Sequence, residues 1–256
     1  MSADVMVEAQ GLVKSYGEDR RVVDDVSFAI RRGETLGLVG ESGSGKSTVA
    51  RMLLRLTEPT AGYVRYGGRD LLAADATELR GLRRRMQIVF QDPYAALNPR
   101  MRVREILTEP FSIHNERPAE GMAARLAEML RTVGMDGSAL GRFPHEFSGG
   151  QRQRINIARA LALKPEFVVL DEPVSALDVS VGAQVVNLLR ELRLEYGLTY
   201  LFISHSMPLV RYLCDRVAIM QRGKLVELGD CEQVCDAPRQ DYTRRLIAAT
   251  PEMPCR

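Results

Sequence analysis

The residues best suited to chemistry lie in three short stretches. Gly40, Ser42, Gly43, Gly45, Lys46 and Ser47 fall within the spacing GxxxxGK[ST], and Thr48 follows it directly. Glycines let a loop turn tightly enough for successive N–H groups to face phosphate oxygens, and the helix start that follows adds the positive end of its dipole. Lys46 is expected to bridge β and γ phosphates, and Ser47 to give its oxygen to Mg²⁺. Thr48 is placed to cap the helix or to reach an α phosphate. The bland alternative, a glycine-rich turn with an accidental lysine, arises by chance in roughly one chain in a hundred of this length at average residue usage. The second stretch is Asp171 and Glu172, two carboxylates delivered by an apolar run. Asp171 suits Mg²⁺ held through water, and Glu172, facing the other side of the chain, can polarise a water in line with a γ phosphate. A solvated acidic turn is the alternative there. The third stretch is Ser148, Gly149, Gly150 and Gln151, which opens a helical pattern with Ile155, Ala158, Leu161 and Ala162 on one face.

Elements of two kinds must hold these residues. Val26, Phe28 and Ile30 alternate with Ser27 and Ala29, the period of a half-buried antiparallel strand, and Val64 with Tyr66 suggests another. The runs 35–39, 86–90, 167–170, 199–203 and 217–220 show little alternation, as expected of strands buried on both faces of a parallel sheet. Residues 91–166 carry no strand signal, while Met122, Leu126, Met129, Leu130 and Val133 recur at helical spacing. The expected architecture is therefore α/β, with an antiparallel β subdomain and an inserted α-helical subdomain. Its divisions are a core of residues 1–90 and 165–230, the insertion 91–164 and a short extension 231–256.

Composition narrows the function classes. With 35 basic against 33 acidic side chains the net charge is +2, which argues against a protein that coats nucleic acid. The uncharged stretch 196–210 contains Ser204, His205 and Ser206 and is too short for a membrane helix. Met1 to Glu8 shows no basic stretch leading into an apolar run, so the expected compartment is the cytoplasm. Cys214, Cys231, Cys235 and Cys255 form no CxxC pair and are expected to be reduced, incidental thiols.

The stretch Ser148 to Gln151 resembles the signature of ATP-binding cassette (ABC) ATPases, and other positions match that family in order. Gln91 resembles its Q-loop residue, expected at Mg²⁺ and the attacking water. His205 resembles its switch histidine, and Asp178, in Ser175-Ala176-Leu177-Asp178, lies in what resembles its D-loop. Tyr16 resembles its adenine-stacking aromatic. The resemblance implies a P-loop NTPase fold and ATP with Mg²⁺ as ligands. It also implies a head-to-tail homodimer or heterodimer in which one subunit supplies the P-loop and the other the signature.

The text from Gln91 to Arg100, from Asp171 to Ser180 and from Asp241 to Leu246 is similar to the ATP-binding subunits of oligopeptide, dipeptide and nickel importers. Phe147, Gly182 and Gln240-Asp241 depart from that group's usual residues. This likeness implies a subunit on the cytoplasmic face of the membrane that drives separate permease subunits and, through them, serves a substrate-binding protein. Tyr94, Leu97 and Met101 are the expected apolar slot for a permease helix. The run Arg80, Arg83, Arg84 and Arg85 is either a solvated face or a membrane- or nucleotide-proximal one. The competing function is a soluble ABC ATPase in iron–sulfur assembly, DNA repair or translation.

Overall fold

The computed structural model describes residues 5–17 and 21–249; Cys255, Pro251, Pro254 and the first four residues lie outside them. The chain opens with strands β1 (Val5–Ser15), β2 (Arg21–Arg31) and β3 (Thr35–Val39), then helix α1 (Lys46–Leu53). Strands β4 (Ala61–Tyr66) and β5 (Arg69–Asp70), helix α2 (Ala76–Arg85) and strand β6 (Met86–Val89) follow. Between β6 and strand β7 (Phe167–Asp171) lie helices α3 (Pro93–Ala96), α4 (Val103–His114), α5 (Met122–Thr132) and α6 (Gly149–Ala160), with two short 3₁₀ turns. Helix α7 (Val179–Tyr196), strand β8 (Thr199–Ser204), helix α8 (Met207–Leu213) and strands β9 (Arg216–Gln221) and β10 (Lys224–Asp230) complete the sheet. Helices α9 (Cys231–Asp236) and α10 (Asp241–Ala248) end the described chain.

Two sheets result. One is antiparallel, in the order β2-β1-β4-β5. In β2 the buried Val26, Phe28 and Ile30 alternate with more exposed neighbours, as their spacing predicts. The other sheet has the order β10-β9-β3-β8-β7-β6, with β9, β3, β8, β7 and β6 parallel and β10 antiparallel at the edge. Its strands feed two apolar cores. Leu36, Leu38, Val169, Leu201 and Ile203 pack toward the antiparallel sheet and α1, whereas Val39, Val168, Leu170, Tyr200 and Phe202 pack toward the remaining helices. Burial on both faces explains the unbroken apolar runs.

The run 86–90 is a partial exception. β6 is the other edge strand, so Gln87 and Ile88 are only half-buried and Phe90 is exposed. The basic run before it is a solvated helix face whose charges are all engaged. Arg80 and Arg83 donate to the Ile113 and Arg55 carbonyls, while Arg84 pairs with Glu116 and Arg85 with Glu166. The tail is less polar in its packing than its composition suggests, because Cys231, Val234 and Tyr242 are buried in the larger core.

Candidate functional site: a phosphate loop facing three strand ends

Each candidate of the core leaves the carboxyl end of a parallel strand, the edge where open α/β sheets bind ligands. β3 leads through the glycine-rich loop into α1, β6 leads to Gln91, β7 ends at Asp171, and β8 is followed by His205. Because β3, β8, β7 and β6 are neighbours, the sheet brings together residues from four separate stretches of sequence.

The loop ends in Gly45 at φ 103°, a left-handed conformation, and a Cβ there would lie 2.7 Å from the Val22 carbonyl oxygen. Any other residue would strain both the turn and the contact. Gly45 is also the N-cap of α1, and no side chain caps that helix. Thr48 therefore does not act as the cap; it stands within the first turn, where N–H groups lack intrahelical acceptors. Lys46 is buried, and its Nζ donates to the Gly40 carbonyl (2.7 Å), the Glu41 carbonyl (2.8 Å) and Ser44 Oγ (3.4 Å). Burial pulls its pKa below the ordinary lysine value, opposed by the carboxylates of Glu172, Asp171 and Glu41. A partly desolvated ammonium held by neutral oxygens is suited to exchange them for a phosphate.

Ser47 Oγ donates to Asp171 Oδ1 at 3.0 Å. Asp171 is buried, and burial raises its pKa above the usual carboxylate range, although the Ser47 hydrogen bond opposes the shift. A hydroxyl and a desolvated carboxylate in contact are hard oxygen donors, a set that fits Mg²⁺.

Glu172 turns the other way. Its φ of 47° is in the left-handed region, unusual for a residue with a Cβ, and Ser175 Oγ donates to its carbonyl. Glu172 Oε2 accepts from Gln91 Nε2 at 3.1 Å and lies 3.4 Å from His205 Nδ1. Both neighbours therefore gather on the same carboxylate oxygen, Gln91 by a hydrogen bond and His205 by proximity.

The remaining candidates lie apart from this cluster. Ser148 caps α6, accepting from the Gln151 N–H (3.3 Å), while Gln151 Oε1 accepts from the Ser148 N–H (3.1 Å). Both are exposed, Gly150 is buried, and a Cβ at Gly150 would lie 2.3 Å from Val181 Cγ1. Asp178 caps α7 through the Val181 N–H at 2.9 Å. That hydrogen bond, with one from Ser180, holds its carboxyl below the usual range. Among the described residues no hydrogen bond links Ser148 to Gln151 with the phosphate loop. Tyr16 is half-exposed, with Lys14 Nζ 5.1 Å from its ring centroid.

Of the expected apolar slot only Tyr94 is open; Leu97 is 1% exposed and Met101 packs against the core. A cleft of about 130 Å³ lies nearby instead, between the end of β6, α4 and α6, and is lined by Phe90, Pro110, Ile113 and Leu163 with Glu109 and Arg159. Three separated segments form it, so no local pattern in the sequence announces it. Tyr242 of the tail was also missed as a site residue: its hydroxyl accepts the Glu41 N–H of the phosphate loop at 3.3 Å.

The ABC transporter family model matches residues 23–175. The oligopeptide transport ATP-binding protein AppF of Bacillus subtilis is 50% identical over 94% of this chain and 74% of its own. OppF of the same organism, also named an oligopeptide transport ATP-binding protein, is 52% identical over 90% of this chain and 76% of its own. A dimeric structure of a post-hydrolysis state of an ATP-binding cassette, bound to ADP and Pi, superposes with TM-score 0.79 at 29% identity. That match covers 88% of this chain and 99% of the other.

Proposed function

Since the chain belongs to the ABC transporter family and carries its ATPase domain, we propose that it is the energy-coupling subunit of a peptide importer. In this reading, cycles of ATP binding and hydrolysis drive separate permease subunits from the cytoplasmic face of the membrane. No described helix is long and apolar enough to cross a membrane. The names of relatives about half identical over most of the chain support peptides as cargo. The chain divides into a core (1–90 and 165–230), a helical insertion (91–164) and a tail (231–256).

The observation that carries the chemistry is the Glu172 carboxylate, hydrogen-bonded by Gln91 and flanked by His205 on one oxygen, beside a phosphate loop. Lys46 and the first N–H groups of α1, with Gly40, Ser42, Gly43, Gly45 and Thr48 forming the loop, hold the β and γ phosphates. Glu172 Oε1 takes the proton of a water as its oxygen attacks the γ phosphorus and the bond to ADP breaks. His205 and Gln91 orient that carboxylate and face the γ phosphate. Ser47 and Asp171, with Gln91 nearby, would hold Mg²⁺, which neutralises phosphate charge when bound. Tyr16 supplies an aromatic face for adenine. The Ser148 to Gln151 turn, exposed at its two ends, and the Asp178 segment complete the site of a second ABC subunit, closing two ATPs between two chains.

The permease docks at the cleft rather than at the Tyr94, Leu97 and Met101 slot. Phe90, directly before Gln91, and Ile113 are exposed there, and the buried Asn156 in its lining has an unpartnered Nδ2. Purification from membranes tests this reading: the chain is expected to bring down a multispanning permease. A soluble partner alone would overturn it.

A further inference from the structure

One peptide group of the phosphate loop is held from both sides. The Gly40 carbonyl accepts from Lys46 Nζ at 2.7 Å, and the N–H of the same peptide, on Glu41, donates to Tyr242 Oη at 3.3 Å. Tyr242 comes from α10, almost at the other end of the chain, and its ring is 7% exposed within the larger core. The helix that carries it is fixed in turn. Both Glu227 carboxylate oxygens accept main-chain N–H groups just before α10, from Arg239 (2.8 Å) and Gln240 (3.2 Å), and Glu227 is itself buried in β10. The line from β10 through α10 to the loop is thus continuous.

We propose that Tyr242 is a positioning residue for nucleotide binding, through which the carboxyl-terminal helix sets the entry turn of the phosphate loop. The inference rests on the ATP-binding reading above. When Lys46 leaves the Gly40 and Glu41 carbonyls for phosphate, two of the bonds that fix this turn are lost. The Tyr242 bond lies on the opposite edge of the peptide and does not compete with phosphate for a donor within α1. It keeps the turn ordered while the lysine moves, so less conformational freedom is lost on binding. The Glu41 N–H is also kept directed at Tyr242, away from the phosphate-facing turn of α1.

Tyr242→Phe in the full chain removes the hydroxyl and retains the ring. Losing one neutral hydrogen bond should weaken binding of ATP by roughly 2- to 10-fold. KM for ATP should rise by a similar factor and kcat stay near that of the parent, because Glu172, Gln91 and His205 are untouched. The melting temperature should fall by no more than about 2–4 °C, and amide exchange at Glu41 should speed up. Glu227→Gln, which loosens α10 and leaves the hydroxyl in place, should weaken ATP binding in the same direction. Unchanged ATP affinity in both variants would overturn the inference, as would a fall in kcat at unchanged KM. Failure of the parent chain to bind ATP, or undiminished binding by Lys46→Ala, would instead overturn the ATP-binding reading itself.

Discussion

Replacing Gly150 by alanine tests whether the signature turn is locked to the segment that follows Glu172. The added Cβ would lie 2.3 Å from Val181 Cγ1 and 3.7 Å from Val181 Cβ, so the steric load falls on one methyl group. It can be relieved in two ways. Val181 can turn about χ1, but one rotamer accounts for about 90% of helical valines, so leaving it costs about 1 kcal/mol. Alternatively α6 and α7 separate, and such overpacking costs roughly 1–3 kcal/mol. Val181 is only half-buried, which keeps rotation open and puts the loss at the low end, about 1 kcal/mol. For a chain of this size that is a fall of about 2–4 °C in melting temperature. ATP hydrolysis should fall further than this implies, because the displaced atoms belong to the first turn of α6. The assay is thermal unfolding with steady-state ATP hydrolysis on Gly150→Ala, Val181→Ala and the double variant. Removing the Val181 methyls should restore both readouts, giving a coupling of about 1 kcal/mol. An unshifted melting temperature in Gly150→Ala, or strictly additive losses in the double variant, would refute the packing argument.

Asp171→Asn should abolish Mg²⁺-dependent hydrolysis without lowering the stability of the nucleotide-free chain. Burial raises the Asp171 pKa above its unfolded value, so its ionised form opposes folding at pH 7, and the penalty lifts as pH falls through the folded pKa. Melting curves should therefore show the variant at or above the parent at pH 7, with any difference shrinking toward about pH 4; a variant less stable at pH 7 would contradict this. Ile113→Glu, which places a charge in the cleft beside Glu109, should reduce recovery of the permease several-fold in membrane pull-downs and leave ATP binding by the isolated chain intact. Full recovery would move the docking site elsewhere.

Much of the core was legible because the signal is local. The parallel strands announce themselves as apolar runs, and the glycine spacing before Lys46 fixes a loop whose conformation Gly45 requires. The same holds for Asp171 and Glu172, adjacent residues that the end of β7 sends in opposite directions. What escaped was tertiary. Leu97 looks like an exposed slot residue in sequence, yet it is buried because α3 packs on α6, where Arg159 donates to the Ala96 carbonyl. Phe90, Pro110, Ile113 and Leu163 are scattered over three segments and become one cleft only when those segments meet. Tyr242 meets Glu41 across 201 positions of sequence, a separation at which no periodicity or motif spacing carries information.

The central claim is that Glu172, held by Gln91 and His205, is the base that splits ATP within a two-subunit sandwich. ATP turnover and association state of Glu172→Gln with Mg²⁺ and ATP, in the assembly the parent forms, test it most directly. The substitution keeps the shape of the side chain and removes the proton acceptor, so kcat should fall by about 10²–10⁴ while ATP stays bound and the closed dimer accumulates. Hydrolysis at the parent rate, or loss of ATP binding with no closed dimer, would contradict the account.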